Sequence, residues 1–290
     1  MGKDGNSRLA SALSGSAAGA FVSTCIQPLD VVRTRMQGDA VKGLLRGPIA
    51  TAKLVHGEAG LRGLWQGTGP TVLRLSIGAG IHFFLIDSMK AFATKVNGGS
   101  ENSALQNVAI GGGSRALTTM LLCPVTVIKT RMEYSRGLYS STLNAAMTIG
   151  RKEGIRGMFS GLAPTILTSA PFSAFHYMFY RELQSVFQNP ERPTAGVNFF
   201  CGTLAAMGAT VLTHPADVVR TRTQLGLGAK GRWASLATFK SICTTQGARG
   251  FSIGLAPRMM KRSLQTALIW TIYEELAPKM TSVMQKYQAA

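Results

Sequence analysis

Long segments rich in apolar and small residues alternate with short polar, basic ones, and the alternation runs three times along the 290 residues. Segments at about 6–37, 104–133 and 197–224 read as long helices, and a second set at about 69–95, 162–187 and 255–280 reads as their partners. Between the members of each pair lie amphipathic stretches, 48–56, 142–151 and 233–243, which fit short helices lying along a membrane surface. No run of 20 residues is purely apolar. Membrane helices that share a polar interior have this character, so the sum is six transmembrane helices. Small residues at four-residue spacing, Gly15/Gly19 and Gly202/Ala206, predict close approach between helices.

The alternation is a true repeat. Pro28-Leu29-Asp30-Val31-Val32-Arg33-Thr34-Arg35-Met36-Gln37 returns as Pro124-Val125-Thr126-Val127-Ile128-Lys129-Thr130-Arg131-Met132-Glu133, and again as Pro215-Ala216-Asp217-Val218-Val219-Arg220-Thr221-Arg222-Thr223-Gln224. The prolines are 96 and 91 residues apart, a period that means one structural unit used three times. A second signature follows each: Gly60-Leu61-Arg62-Gly63-Leu64-Trp65-Gln66-Gly67, Gly154-Ile155-Arg156-Gly157-Met158-Phe159-Ser160-Gly161 and Gly247-Ala248-Arg249-Gly250-Phe251-Ser252-Ile253-Gly254. Pro70, Pro164 and Pro257 stand three residues beyond the last glycine of each. The units divide as residues 1–98, 99–193 and 194–290. Pro28, Pro124 and Pro215 fall inside long helices, where each removes a backbone hydrogen bond and kinks the helix. Neighbouring helices absorb that cost in a membrane.

Charge adds a direction. The net charge is +18, the isoelectric point about 10.4 and the mean hydropathy +0.14. Such a balance suits anionic lipid, an anionic ligand or nucleic acid. The loops inside the repeats (38–66, 134–160, 225–253) hold twelve Lys/Arg against three Asp/Glu, whereas the linkers (96–103, 188–196) hold one Arg and two Glu. By the positive-inside rule the first set shares one side of the membrane and both termini lie on the other. A soluble basic helical-repeat protein that binds nucleic acid is the rival class; it would spread Lys/Arg along one face, not gather them in loops and at helix ends. Cys25, Cys123, Cys201 and Cys243 show no metal-ligand or redox spacing, and Cys25 and Cys123 are expected as inert packing residues. Neither a phosphate-binding GxxxxGK[ST] loop nor an HExxH pattern is present. No catalytic centre, cofactor site or metal site is the expectation.

Three in-register copies of Pro-x-[Asp/Glu]-x-x-[Lys/Arg]-x-[Lys/Arg], each followed by the glycine–aromatic signature, resemble the mitochondrial carrier family over nearly the whole chain. The resemblance implies an all-α membrane protein: three tandem repeats of two transmembrane helices plus a short matrix helix, built as a six-helix pseudo-threefold bundle. It implies a monomer of the inner mitochondrial membrane that works by alternating access, multi-pass, with both termini toward the intermembrane space. Anionic lipid (cardiolipin) at the matrix-side helix ends is part of the same expectation. Within the family, residues 123–131, 157–162 and 170–175 are similar to the glycine-carrying branch, which imports glycine into the matrix for 5-aminolevulinate and haem synthesis.

The family pattern pairs each motif acid with the base of the next odd-numbered transmembrane helix, forming a gate at the matrix end. Carried over, Asp30 meets Lys129 and Asp217 meets Arg33, while Thr126 replaces the acid of repeat two and leaves Arg220 with at most a hydroxyl. Gln37 and Gln224 match bracing glutamines; Glu133 replaces the third and is placed to pair with a base. The opposite, cytoplasmic gate maps to Asp87, Lys90, Tyr180, Gln184, Tyr273 and Glu274. There only Lys90–Glu274 remains as an acid–base pair, with Asp87 placed to accept from Gln184. The weaker second gate predicts a resting state open to the intermembrane space.

Seven residues beyond each final signature glycine lie Arg74, Thr168 and Lys261, the family's substrate contact points. Arg74 and Lys261 are two cations facing one cavity, which repel until an anionic group sits between them. That predicts a carboxylate or phosphate on the ligand, and the resemblance implies a small amino acid or carboxylate as substrate. Arg262 is adjacent but about 100° away around the helix. One turn on lie Gly78, Phe172 and Gln265; Phe172 and Phe175 narrow the cavity, and His82 and His176 read as satisfied polar residues. Arg115 is a charge where the other repeats have Gly19 and Ala206. The Thr168-Ser169 pair stands where amino-acid carriers of the family tend to have Arg-Asp. A hydroxyl pair binds ammonium or carboxylate more weakly, so another small carboxylate or amino acid stays open as substrate.

Overall fold

The computed structural model describes residues 2–97, 104–135, 137–187, 195–227, 233–269 and 271. Each third of the chain is a long helix, a short one and a long one. Repeat one is α1 (Gly2–Val41), α2 (Pro48–Gly63) and α3 (Thr68–Val96). Repeat two is α4 (Ala104–Tyr134), α5 (Thr142–Met158) and α6 (Leu162–Phe187). Repeat three is α7 (Ala195–Leu225), α8 (Ala234–Thr245), the single turn α9 (Gly247–Gly250) and α10, residues 255–269. Residues 272–280, expected to continue the last helix, lie outside the described residues.

Local chemistry sets these boundaries. Pro48 begins α2, where its missing N–H costs nothing. The Ser141 hydroxyl caps α5 by accepting from the Asn144 amide. Gly60, Gly154 and Gly247 adopt φ of 61°, 64° and 59°, turning the chain out of each short helix. Gly67, Gly161 and Gly254 take φ of 82°, 74° and 83° and start each following long helix. Side chains rarely adopt that conformation, so the spaced glycines of the sequence are backbone requirements. The long helices run through Pro28, Pro124 and Pro215. In repeat one the carbonyl that Pro28 leaves unbonded, that of Thr24, accepts from the Trp65 indole at 2.9 Å.

The three proline-bearing helices α1, α4 and α7 pack on one another in pairs, and α3 packs on α4 and α6 on α7 across the repeat boundaries. The short helices close beneath them: Ile128 of α4 buries against Ala145 and Ile149 of α5, and Val218 and Val219 of α7 against Ile242 of α8. The interior at this end is polar, with Asp30 only 4 % exposed, Arg35 1 %, Gln37 0 % and Asp217 3 %. The outer surface is apolar, with Phe84 and Phe92 each 71 % exposed. Polar groups inside and aromatic groups outside invert the order of a water-soluble protein and match a hydrocarbon surround. Helix α3 and residues Gly196–Leu225 of α7 each contain an 18-residue window of mean hydropathy 1.4, long and apolar enough to cross a membrane.

Two expectations are corrected here. Gly19 is not a point of close approach, because a Cβ built there meets nothing within 4 Å. Tight contacts fall at Gly208, 3.1 Å from the Phe179 ring, and Gly113, 3.0 Å from Met89, while Gly202 lies at an ordinary 3.8 Å from Tyr180. Cys25 is exposed and does not pack inside, unlike Cys123 and Cys201.

At Gly161 a Cβ would lie 2.7 Å from the Gln224 side chain, on a backbone already at positive φ. Gly161→Ala is therefore expected to cost about 1–3 kcal/mol and to lower the melting temperature of the detergent-solubilised protein. Gly19→Ala is expected to leave it unchanged. Equal melting of the two variants would contradict this account.

Candidate functional site

The C-terminal halves of α1, α4 and α7 place each motif's acid and base three residues apart, on one helix face, where they reach the neighbouring helix. Lys129 Nζ donates to Asp30 Oδ2 at 2.8 Å and lies 3.4 Å from Glu133 Oε1. Arg33 forms an ion pair with Asp217 and reaches the Thr221 hydroxyl at 3.5 Å. Glu133 also accepts from Gln27 at 3.1 Å and Thr34 at 2.7 Å, joining α4 to α1. Thr126 does not reach Arg220: its hydroxyl donates to the Leu122 carbonyl of its own helix at 3.0 Å. Arg220 is half-buried and has neither hydrogen bond nor ion pair among the described residues.

The left-handed glycine that starts each second long helix presses on the proline-bearing helix of the next repeat. Gly67 meets the Lys129 carbonyl and Glu133, Gly161 the Arg220 carbonyl and Gln224, and Gly254 meets Arg33 and Gln37. Gln37 Nε2 donates to the Ile253 carbonyl at 3.3 Å, and Gln224 accepts from Thr130 at 3.0 Å and approaches Thr165 at 3.4 Å. The second base of each motif ties its helix to its own short helix. Arg35 pairs with Glu58 at 3.2 Å, Arg131 grips Glu153 through two bonds of 2.5 and 2.6 Å, and Arg222 donates to Gln246 at 2.8 Å. The sequence reading assigned these second bases no role.

The largest departure concerns Lys261. It is not an unpaired cation facing Arg74, because its ammonium donates to Asp30 Oδ1 at 2.6 Å and Oδ2 at 2.8 Å. The four-carbon stem of lysine carries the charge from α10 down to the gate. Arg258, missed by sequence reading, behaves alike: it lies 3.8 Å from Asp217 and donates to His214 Nδ1 at 3.4 Å. His214 Nε2 faces the Ile253 carbonyl at 3.1 Å, so the imidazole is neutral, with its proton on Nε2. The available signal was Arg258 standing three residues before Lys261, on the same helix face.

Arg74 is half-buried in α3 and has no hydrogen-bond or ion-pair partner among the described residues; its charged neighbours are Arg220, Asp30, Arg115 and Glu133. Arg262 turns toward α6 and lies over the Phe172 ring, 4.5 Å from its centroid. Phe172 stacks on His176 at 5.9 Å and His176 on Tyr180 at 6.4 Å, one aromatic ladder along α6. Phe175 stacks on Phe179 at 6.4 Å. Gln265 is half-buried and Arg115 exposed. Two candidate contacts are corrected. Gly78 packs between helices, since a Cβ there would lie 2.8 Å from Leu122. Thr168 is 4 % exposed and spends its proton on the Pro164 carbonyl at 2.5 Å, while Ser169 donates to the Thr165 carbonyl at 2.9 Å. Their protons are therefore not offered to a ligand.

At the opposite end Asp87 and Lys90 are exposed and form no ion pair among the described residues. Gln184 donates to Tyr180 at 2.9 Å and Asn198 at 2.8 Å, not to Asp87 as expected. Tyr273 and Glu274 lie outside the described residues. His82 meets the Thr118 hydroxyl at 3.4 Å.

A helical bundle in three repeats, apolar outside, pinned by ion pairs at one end and holding cations at mid-height, has the architecture of a solute transporter. The family model of the mitochondrial carrier protein matches residues 5–97, 100–191 and 191–283, and the chain belongs to that family. It is similar to the mitochondrial glycine transporter of Ovis aries, 38% identical over 276 residues that cover 92% of this chain and 89% of the relative. The mitochondrial glycine transporter of Homo sapiens is 37% identical over 278 residues, 92% and 88% of the two chains. That of Pyricularia oryzae is 33% identical over 305 residues, covering 91% and 90%. As a member of this family the chain is a transporter of a mitochondrial membrane.

Asp30 is the acceptor for two buried ammonium groups. Asp30→Asn is expected to leave Lys261 without a counter-charge and Lys129 with Glu133 alone, at a cost of about 3–5 kcal/mol, read as a large fall in melting temperature. Asp87→Asn, at an exposed carboxylate, is expected to melt like the wild type. A small effect at Asp30 would contradict the pairing.

Proposed function

We propose that this chain carries glycine across the inner mitochondrial membrane into the matrix, by alternating access as a monomer. The import feeds 5-aminolevulinate and haem synthesis. The three relatives, each a mitochondrial glycine transporter, support the substrate. The observation that carries the reading is Arg74, an unpartnered guanidinium above a floor closed by protein ion pairs. A buried cation without a counter-ion is expensive and calls for an anionic ligand. Arg74 takes the substrate carboxylate. The Gln265 amide oxygen is offered to its ammonium. Phe172, covered by Arg262, limits the room to a small amino acid. Arg115 adds to the positive field around Arg74.

Asp30, Arg33, Lys129, Asp217 and Arg220 with the braces Gln37 and Gln224 form the matrix gate, closed in this conformation. Asp87, Lys90, Tyr180, Gln184, Tyr273 and Glu274 form the cytoplasmic gate. Both termini lie toward the intermembrane space, the side on which the cavity is open. Cardiolipin binds at the basic matrix-side helix ends. Ligand binding shifts the balance between the two states by its differential affinity for them, and a few kcal/mol of such difference is enough.

The test is uptake into liposomes that hold the purified protein, with labelled glycine beside a panel of other amino and organic acids. Saturable glycine uptake is expected, and Arg74→Ala is expected to lower kcat/KM by about 10–100-fold, the worth of a charge-assisted hydrogen bond. Uptake of another acid with none of glycine would overturn the substrate.

A further inference from the structure

Of the three gate acids the repeat calls for, two are present and both are already engaged. Asp30 is held by Lys129 and Lys261, and Asp217 by Arg33 and Arg258. Glu133 is held by Lys129, Gln27 and Thr34. The pairing runs Asp30 of α1 to α4 and Asp217 of α7 to α1. The remaining link, α4 to α7, has Thr126 in the acid's place and Arg220 as its base. Thr126 turns its proton back to Leu122, and Arg220 is without a partner among the described residues. Arg220 holds in α7 the register that Lys129 holds in α4, and Arg74 holds in α3 the register that Lys261 holds in α10. Lys129 and Lys261 meet at Asp30, so the repeat directs both guanidinium groups to the Thr126 position. Arg74 is equally unpartnered among the described residues. Two guanidinium groups, from α3 and α7, thus repel one another beside a vacancy of one negative charge.

We propose that Arg220 is a second substrate ligand, and that the substrate carboxylate, held between Arg74 and Arg220, stands where repeat two lacks its acid. The inference rests on the reading of the chain as a carrier of a small carboxylate-bearing solute. The chemistry fits: guanidinium is a fork of donors shaped for a carboxylate, and two forks can share its oxygens. An empty site keeps α3 and α7 apart by like charge. A filled one removes that repulsion and completes the third acid–base link, so closure over the ligand follows its binding.

Thr126→Asp supplies the missing acid from the protein. In liposomes its KM for glycine is expected to rise roughly tenfold or more, while the ligand-free protein melts higher than the wild type. Arg220→Gln is expected to raise KM to a similar degree, and the two changes together are expected to be non-additive, because each removes the same cationic ligand. A KM within about twofold of wild type in either single variant, or additive effects in the pair, overturns the proposal. Sodium acetate, compared with sodium chloride at equal ionic strength, reads the site apart from glycine. It is expected to raise the melting temperature of the wild type and not of Thr126→Asp. If the wild type takes up no glycine yet shows this acetate difference, the substrate assignment fails and the carboxylate site stands. If acetate stabilises both proteins equally, the carboxylate site fails.

Discussion

One buried carboxylate holds three helices together. Asp30 of α1 accepts from Lys129 of α4 and from Lys261 of α10, each within 2.8 Å. Removing that charge strands Lys261 and leaves Lys129 only Glu133, and buried charges without partners are among the most costly features a fold can carry. Everything near this end is arranged around that demand. Gln27 and Thr34 satisfy Glu133 beside it, Gln37 braces the turn beneath repeat three, and the left-handed glycines let the loops approach the motif helices closely enough to cap them.

The threefold pattern is broken in one consistent way. Helix α10 sends two cations into the gate, Lys261 to Asp30 and Arg258 to Asp217. Nothing equivalent serves the α4–α7 link, where the acid itself is missing. The bundle is therefore tight along two seams and electrostatically incomplete along the third. The positive charge left over, on Arg220 and Arg74, lies on the side of that seam. On the proposed reading, specificity for an anionic group arises from the incomplete seam, and gate and binding site form one charge network.

The repeat and the order of its elements were legible from spacing, and spacing also put each motif's acid and base on one helix face; which helices they join across, Asp30 to Lys129 and Asp217 to Arg33, came from the family pattern. The roles of Lys261 and Gly78 were not legible. Counting from Gly254 singled out Lys261, but not how far a flexible stem reaches, and Asp30 claims the ammonium. Gly78 occupies a contact-point register, yet its lack of a side chain serves Leu122 of α4. Thr168 illustrates a further limit, since a helical threonine can satisfy itself on the carbonyl four residues back and so withdraw from ligand chemistry. His214 and Gln27, each directly before a motif proline, bond the Ile253 and Gln66 carbonyls ahead of the left-handed glycines. Their role emerges only when the loop is folded against the helix.

The account's central claim is that the Asp30 cluster seals one end of the cavity while the other stands open. The most direct measurement is labelling by a membrane-impermeant thiol reagent of Gln265→Cys, the sole cysteine of an otherwise cysteine-free protein reconstituted in liposomes without substrate. Rapid labelling from the side of the termini and slow labelling from the side of the short helices is the predicted result, with the slow side accelerated by Asp30→Asn. Equal labelling from both sides while Asp30 is intact would contradict the claim.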